Sequence, residues 1–227
     1  MNLKQSALAG ALVAALALVA GAAHSADNTF HFGVSNINVH SQSPNLTSNG
    51  PAFLTPQPAG ISVGDATTLS LGYTRRLDAH WDFDVLLGVP PTHSISGTGT
   101  LAPFGEIARI KQAGPTFMFN YNFGEEDSSW RPYIGGGVNF TRFYDATSTA
   151  SGNIATGGPT KISLTDSMGP AAQVGFAYRF SAQWSLTAAI AAAKVKTNML
   201  TTTGSIERRT EVDLRPVVIS AGLAYAF

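Results

Sequence analysis

The sequence predicts an all-β protein, an eight-stranded antiparallel transmembrane β-barrel. Three observations predict it. Apolar residues recur at period two, with large side chains on one face and small or polar ones on the other; a helix would mix the two sets. The segments marked in this way are joined by alternately short and long connections, and aromatics gather beside the short ones. Short turns at one end, longer loops at the other and an aromatic girdle are the marks of a barrel that crosses an outer membrane. A soluble sandwich or lipocalin-like barrel predicts neither the girdle nor the alternation of Phe with small residues.

The N-terminus comes first. Lys4 is the only charge before an apolar run from Leu8 to Val19, and small residues follow at Gly21, Ala22 and Ala23. A basic start, a short apolar core and a small-residue cleavage region make a secretory signal peptide. Its expected extent is 1–25, with Ala23 and Ser25 at the small positions and a mature barrel over 26–227. The run is too short for a spanning helix, which needs roughly 20 residues.

Strand one carries Phe30, Phe32 and Val34 against His31, Gly33 and Ser35. Strand two carries Leu69, Leu71, Tyr73 and Leu77 against Ser70, Gly72, Thr74 and Arg76. After a turn at 78–80, strand three sets Trp81, Phe83, Val85, Leu87 and Val89 against Asp82 and Asp84. Strand four ends in Phe117, Phe119, Tyr121 and Phe123, alternating with Met118, Asn120 and Asn122. Strand five spans 133–144, with Val138 and Phe140 outward. Strand six sets Val174, Phe176, Tyr178 and Phe180 against Gln173, Gly175 and Arg179. Strand seven holds Trp184, Leu186, Ala188 and Ile190. Strand eight sets Val217, Ile219, Leu223, Tyr225 and Phe227 against Ser220, Gly222, Ala224 and Ala226. The short connections fall at 78–80, 124–132 and 181–183. The long ones, read as external loops, fall near 41–65, 91–106, 145–162 and 197–206.

Parity then sorts the lumen. Its periplasmic half carries Arg76, Asp82, Asp84, Asn120, Asn122, Gln173 and Arg179. Two arginines and two aspartates can neutralise one another, and an eight-stranded barrel is just wide enough for side chains to fill. These seven residues are the expected polar plug. The outer half is apolar or small, with Leu86, Ile110 and Met118 inward. That suits either a small hydrophobic molecule or plain core packing. With the floor shut, a ligand would leave through the wall, which opens where a proline withholds its N–H from the ladder. Gly169-Pro170 is one such place. Strict parity aims the adjacent Met168 at lipid, and a kink would turn it inward. The same prolines would equally mark bulges that only shape the barrel.

Composition limits the function classes. Net charge is +0, which argues against nucleic acid. There are no cysteines, so disulfide and thiolate–metal sites are excluded, and no paired histidines occur at ligand spacing. No cofactor is expected. Charged residues make up 12% of the chain, about half the share usual in soluble domains.

Several segments resemble one family. Trp130-Arg131-Pro132-Tyr133-Ile134-Gly135-Gly136-Gly137-Val138-Asn139-Phe140 resembles the RPYxGxGxNY segment of the OmpW family of outer-membrane proteins. Leu164 to Gly175, Pro115-Thr116 with the aromatic alternation up to Phe123-Gly124, and Leu214-Arg215-Pro216 to Phe227 are similar as well. The resemblance implies an eight-stranded barrel in the bacterial outer membrane with a hydrophobic channel. It also implies uptake of small apolar compounds and release through the wall. Family members often carry a gate-like Trp where this chain has Met168; Met is smaller and more adaptable. The final aromatic, Phe227, resembles the insertion signal of outer-membrane barrels, which implies the barrel assembly machinery as a partner. Within the poorly matching 41–65 segment, Phe53 and Leu54 are candidates for a lid over the mouth.

Two other classes compete. A structural or adhesive barrel without transport would have the same strands. A lipid A-modifying enzyme with a lipid-facing His-x-Ser pair would need base and hydroxyl within hydrogen-bond reach. Here Gly33, Gln42, Asp82 and Ile95 follow two residues after His31, His40, His80 and His93, so the pair is missing and no catalytic residue is expected. Lys194, Lys196, Arg109 and Lys111, at the outer strand ends, are candidates to contact lipopolysaccharide phosphates or are ordinary solvated charges.

Overall fold

The computed structural model describes residues 27–51 and 58–227. The expected signal peptide and the candidate lid residues Phe53 and Leu54 lie outside the described residues. In chain order the strands are β1 (Asn28–Val39), β2 (Thr47–Ser48), β3 (Ala59–Val63), β4 (Ala66–Arg76) and β5 (Trp81–Gly88). Next come β6 (Thr92–Gly99), β7 (Glu106–Ala113), β8 (Thr116–Asn122) and β9 (Trp130–Ser148). The last are β10 (Thr160–Leu164), β11 (Ser167–Arg179), β12 (Trp184–Ala193), β13 (Val195–Thr203), β14 (Ile206–Leu214) and β15 (Pro216–Ala226). A short helix, α1 (Ala150–Thr156), is capped by the Thr149 side chain, which accepts from the Gly152 N–H.

Eight of these strands close a ring. β1 pairs with β4, β4 with β5, β5 with β8, β8 with β9, β9 with β11, β11 with β12, β12 with β15, and β15 returns to β1, all antiparallel. Closure matters because hydrocarbon offers no partner to a backbone N–H or C=O, so a spanning sheet can have no free edge. The outer wall is as parity predicts. Among the described residues, all the large apolar side chains left exposed but Ile154 lie in these eight strands or at their ends. At the short-turn end the aromatics touch one another: Trp130 stacks on Phe176 at 4.3 Å, and Phe30 on the terminal Phe227 at 5.0 Å. The Asp78 carboxylate caps one short turn by accepting from the His80 and Trp81 N–H groups. Those two bonds hold its pKa below the usual value.

The seven other strands correct the expectation of loops at 41–65, 91–106, 145–162 and 197–206. They build a second sheet on the outer end of the barrel. β9 runs through both tiers: its first part pairs with β8 and β11, and Arg142–Ser148 pairs with β7, with a single contact to β10. β3, β6 and β7 pair in sequence on one side of it; β10, β13, β14 and β2 on the other. The pattern in this tier is still period two, but the outside is water. β13 buries Val195, Thr197 and Met199 and exposes Lys196 and Asn198, the alternation of a sheet wet on one face. The apolar core sits inside this tier, built from residues such as Ile61, Ile95, Ile110, Val195, Met199, Val212 and Leu214.

One seam of the extension is not a backbone ladder. Residues 41–46 lie between β14 and β3. On the β14 side Gln42 and Asp213 exchange two backbone bonds of 2.9 Å. On the β3 side, side chains substitute for the missing strand: Ser41 Oγ accepts from Val63 N at 2.8 Å, Ser43 Oγ from Ile61 N at 2.9 Å, and Asn45 Oδ1 from Ala59 N at 3.1 Å. The spacing of two puts all three on the same side of the segment.

The two tiers make a contrast that can be measured. Ile219, 51% exposed on the wall of β15, should not tolerate charge. Ile219→Arg is expected to cost about 2–4 kcal/mol in urea unfolding from lipid vesicles, the penalty of a lipid-facing cation near the midplane. Asn198→Arg, on the water-facing side of β13, should stay within about 0.5 kcal/mol of the parent.

Candidate functional site

The inward side chains of the eight strands form a polar floor. Asn120 Nδ2 donates to Asp82 Oδ1 at 2.6 Å and to Asp84 Oδ2 at 2.7 Å. Asn122 Nδ2 donates to Asp82 Oδ2 at 2.5 Å. From across the lumen, Gln173 Nε2 donates to Asn120 Oδ1 at 2.7 Å and Asp84 Oδ2 at 3.2 Å. These five residues therefore form one connected network, drawn from β5, β8 and β11. Two further members were not foreseen. Thr74 Oγ1 donates to Asp84 Oδ1, and His31 Nε2 lies 2.6 Å from Thr74 Oγ1. Since Thr74 gives its only proton to the carboxylate, it accepts from His31, so Nε2 carries the hydrogen.

Glycine makes room for this floor. A Cβ on Gly135 would lie 1.9 Å from Asn120 Oδ1, so no side chain fits where the amide crosses.

The arginines correct the expected neutralisation. Arg76 Nη1 pairs with Glu126 Oε1 at 2.5 Å, and Arg179 donates to the Asp127 carbonyl. Both partners sit in the 124–132 turn. Arg131, also unforeseen, donates to the Ala79 carbonyl at 2.5 Å. Long side chains at a barrel end reach for the wet rim, where an ion pair loses less hydration than in the lumen. Among the described residues no cation lies within 4.0 Å of Asp82 or Asp84; the hydrogen bonds to their oxygens come from hydroxyl and amide donors.

Above the floor lies a cavity of about 240 Å³. His31, Asp84, Tyr133, Gln173 and Thr187 line its base, Leu86 its wall, and Ile95, Ile110 and Val212 its upper part in the extension. Met118, also expected there, is 0% exposed and pairs opposite Asp84, so it packs in the floor. Met168 keeps the outward direction of strict parity and not the inward turn that a kink would give. Met168 is 66% exposed on the outer wall, and Pro170 faces outward as well. No kink turns them, because β11 keeps its pairing with β9 through Met168↔Phe140, Gly169↔Asn139 and Pro170↔Val138.

The wall changes on the other side of Pro170. Pairing of β11 with β12 ends at Ala171↔Ala193, and the Pro170 carbonyl accepts from Lys194 N at 3.0 Å without an N–H to return. Above this point contact between β11 and β13 relies partly on side chains, such as Ser167 Oγ accepting from Lys196 N at 3.0 Å. Outside lies a groove lined by Pro170, Ala172, Lys194, Lys196, Asp213 and Arg215. Ala171, Ala192 and Ala193 line both this groove and the inner cavity.

Among the described residues, no cluster of three His, Asp or Glu side chains could hold a metal ion. Of the candidate lipopolysaccharide contacts, three already have carboxylate partners: Arg109 with Glu106 at 2.5 Å, Lys111 with Asp145 at 3.3 Å and Lys196 with Glu211 at 2.9 Å.

The model of the OmpW family matches residues 25–227. The chain belongs to the OmpW family. It is 35% identical over 168 residues to outer membrane protein W of Vibrio cholerae, covering 74% of this chain and 76% of that one. It is 27% identical to the dibenzothiophene metabolism operon protein PahQ of Pseudomonas aeruginosa, covering 74% of each. The crystal structure of the outer membrane protein OprG from Pseudomonas aeruginosa superposes with a TM-score of 0.80 at 25% identity, covering 89% of this chain and 96% of that one. This OmpW-family chain is an outer-membrane β-barrel of the Gram-negative type, and its outer wall faces membrane lipid.

Two outcomes follow from the site. Gly135→Val would drive a branched side chain into Asn120 and is expected to destabilise the barrel by about 1–3 kcal/mol, as overpacking does, with raised ion conductance in planar bilayers as the floor loosens. The second concerns His93 in the extension, 1% exposed. Its Nδ1 donates to the Gly64 carbonyl at 2.8 Å, and Nε2 has no partner. Burial pulls its pKa below the ordinary imidazole value. The unfolded chain therefore takes up the proton first as pH falls. The contribution to stability is complete above about pH 6.5 and is lost progressively below it. The urea midpoint should drop over that range, and His93→Leu should flatten the drop.

Proposed function

We propose that this barrel is a channel and receptor for the uptake of small hydrophobic molecules, which enter the cavity from outside and leave sideways through the wall near Pro170. The observation that carries the reading is the shared lining: Ala171, Ala192 and Ala193 border both the inner cavity and the outer groove. The hydrogen-bonded floor supports it, since an apolar solute would have to break a satisfied polar network to pass downward. An apolar solute moving into acyl chains never meets bulk water. The relative PahQ, named for a dibenzothiophene metabolism operon, is consistent with an apolar cargo.

Catalysis is not part of the reading. A lipid A-modifying site must face the bilayer, whereas His31 lies in the floor and His93 inside the extension. Lipopolysaccharide contact is left to Lys194, the one basic candidate at the groove without a carboxylate within 4.0 Å among the described residues. The partner in assembly is the barrel assembly machinery, met through the terminal Phe227, which is partly exposed beside Phe30.

The wall can be tied shut reversibly. The native chain has no cysteine, and Ala171 and Ala193 are a cross-strand pair, close enough for a disulfide. Cells carrying Ala171→Cys with Ala193→Cys should take up naphthalene normally when reduced. On oxidation they should fall to the rate of cells without the barrel, and reduction should restore uptake. Undiminished uptake by the cross-linked barrel would exclude this exit. If the folded parent barrel gave no uptake at all, a structural or adhesive role would be favoured.

A further inference from the structure

We infer that the base of the cavity is a head-group site, and that the preferred ligand is a neutral hydrocarbon bearing one hydroxyl, an alcohol or phenol, over an alkane or a carboxylate. The inference rests on the uptake reading and narrows its substrate class.

The walls of the cavity are mostly aliphatic, with hydroxyls such as those of Ser35, Ser70 and Thr197 among them, and two polar groups at its base have no partner that uses them. The first is the Tyr133 hydroxyl. Tyr133 projects inward from β9, directly opposite Gly175 of β11. A Cβ on Gly175 would come within 2.5 Å of Tyr133 Oη. The glycine therefore leaves the space that the phenol occupies. Tyr133 lines the cavity, and its hydroxyl has no hydrogen-bond partner among the described residues. The second is His31. Its Nε2–H is given to Thr74, so its Nδ1 is a bare acceptor, and His31 lines the same cavity. The base thus offers one donor and one acceptor. The amides and carboxylates of Asp82, Asp84, Asn120, Asn122 and Gln173 are already engaged with one another, and Thr187 Oγ1 donates to the Gly222 carbonyl at 3.4 Å.

Four kinds of ligand end meet this base differently. An alkane offers neither group a hydrogen bond. A hydroxyl accepts from Tyr133 and donates to His31, using both of its capacities. A carboxylate can accept from Tyr133, but it brings a negative charge towards the carboxyl groups of Asp82 and Asp84, which make no ion pair within 4.0 Å among the described residues. Inside a barrel that repulsion is poorly screened. A protonated amine would be drawn by the same charge, yet the aspartate oxygens already accept from Thr74, Asn120, Asn122 and Gln173 and offer it no complete shell to replace water.

The test uses the full mature barrel in lipid nanodiscs with tyrosine rings labelled with carbon-13. Binding of 1-octanol, methyl heptyl ether, octane and octanoate is followed by NMR. The expected order of affinity is octanol, then the ether, which can only accept, then octane, with octanoate weakest. Octanol should exceed octane by roughly 3- to 10-fold, the worth of one or two neutral hydrogen bonds after exchange with water. Tyr133→Phe, which keeps the ring, should remove most of the preference for octanol over octane. The order among the four probes in the unmutated barrel answers the question even if the variant does not fold. Equal affinity for octanol and octane would overturn the head-group site and leave the uptake reading standing. Octanoate binding as tightly as octanol would overturn the charge argument and with it the proposed ligand class. No binding of any of the four would overturn both the head-group site and the uptake reading.

Discussion

Every feature of this molecule depends on the closure of β1 against β15, which leaves the membrane tier without a free edge. In lipid each unpaired backbone group costs several kcal/mol, so the ring is the condition for spanning at all. Closure also fixes the two surfaces. Side chains alternate strictly between acyl chains and a narrow lumen, and the lumen of eight strands holds little more than its own side chains. The floor, the cavity and the outer groove are all arrangements of what fits in that interior.

Within the lumen, polarity is segregated by height. The lower positions hold carboxylates and amides that satisfy one another, with Gly135 clearing the path of Asn120. The upper positions hold aliphatic side chains continuous with the core of the extension. A polar network with its groups paired is rigid and costly to open, while an apolar recess bordered by alanines is thin and adaptable. The ladder is short of a bond where Pro170 lacks an N–H and β12 gives way to β13 at Lys194. The same wall that must be complete in the membrane core is allowed to be incomplete at its outer margin.

The eight spanning strands and their faces were legible in the sequence because lipid outside and a tight lumen inside impose large-against-small alternation, as in Ile219, Leu223 and Tyr225 against Ser220, Gly222 and Ala224. The outer tier was not read as strands, although its alternation is present in Val195-Lys196-Thr197-Asn198-Met199. Its outer positions face water, so its polarity resembled that of loops. Parity also gave the correct outward direction for Met168, and the structure has no kink to reverse it. What parity cannot give is how far a side chain reaches along the axis. Arg76 and Arg179 are inward by pattern but extend to the 124–132 turn rather than to Asp82 and Asp84. His31, Thr74 and Tyr133 carried a signal too: a polar group on an inward position beside the aspartates must either join their network or face the cavity.

The central claim is that the apolar cavity communicates with the bilayer and not with the periplasm. The most direct measurement is anomalous diffraction from crystals of the barrel soaked with a short bromoalkane. The account predicts bromine peaks in the cavity above Asp84 and beside Ala171 and Ala193, with none beneath Asn122. Peaks passing through the Asp82–Asn120 network to the periplasmic rim, or a cavity empty of bromine, would contradict it.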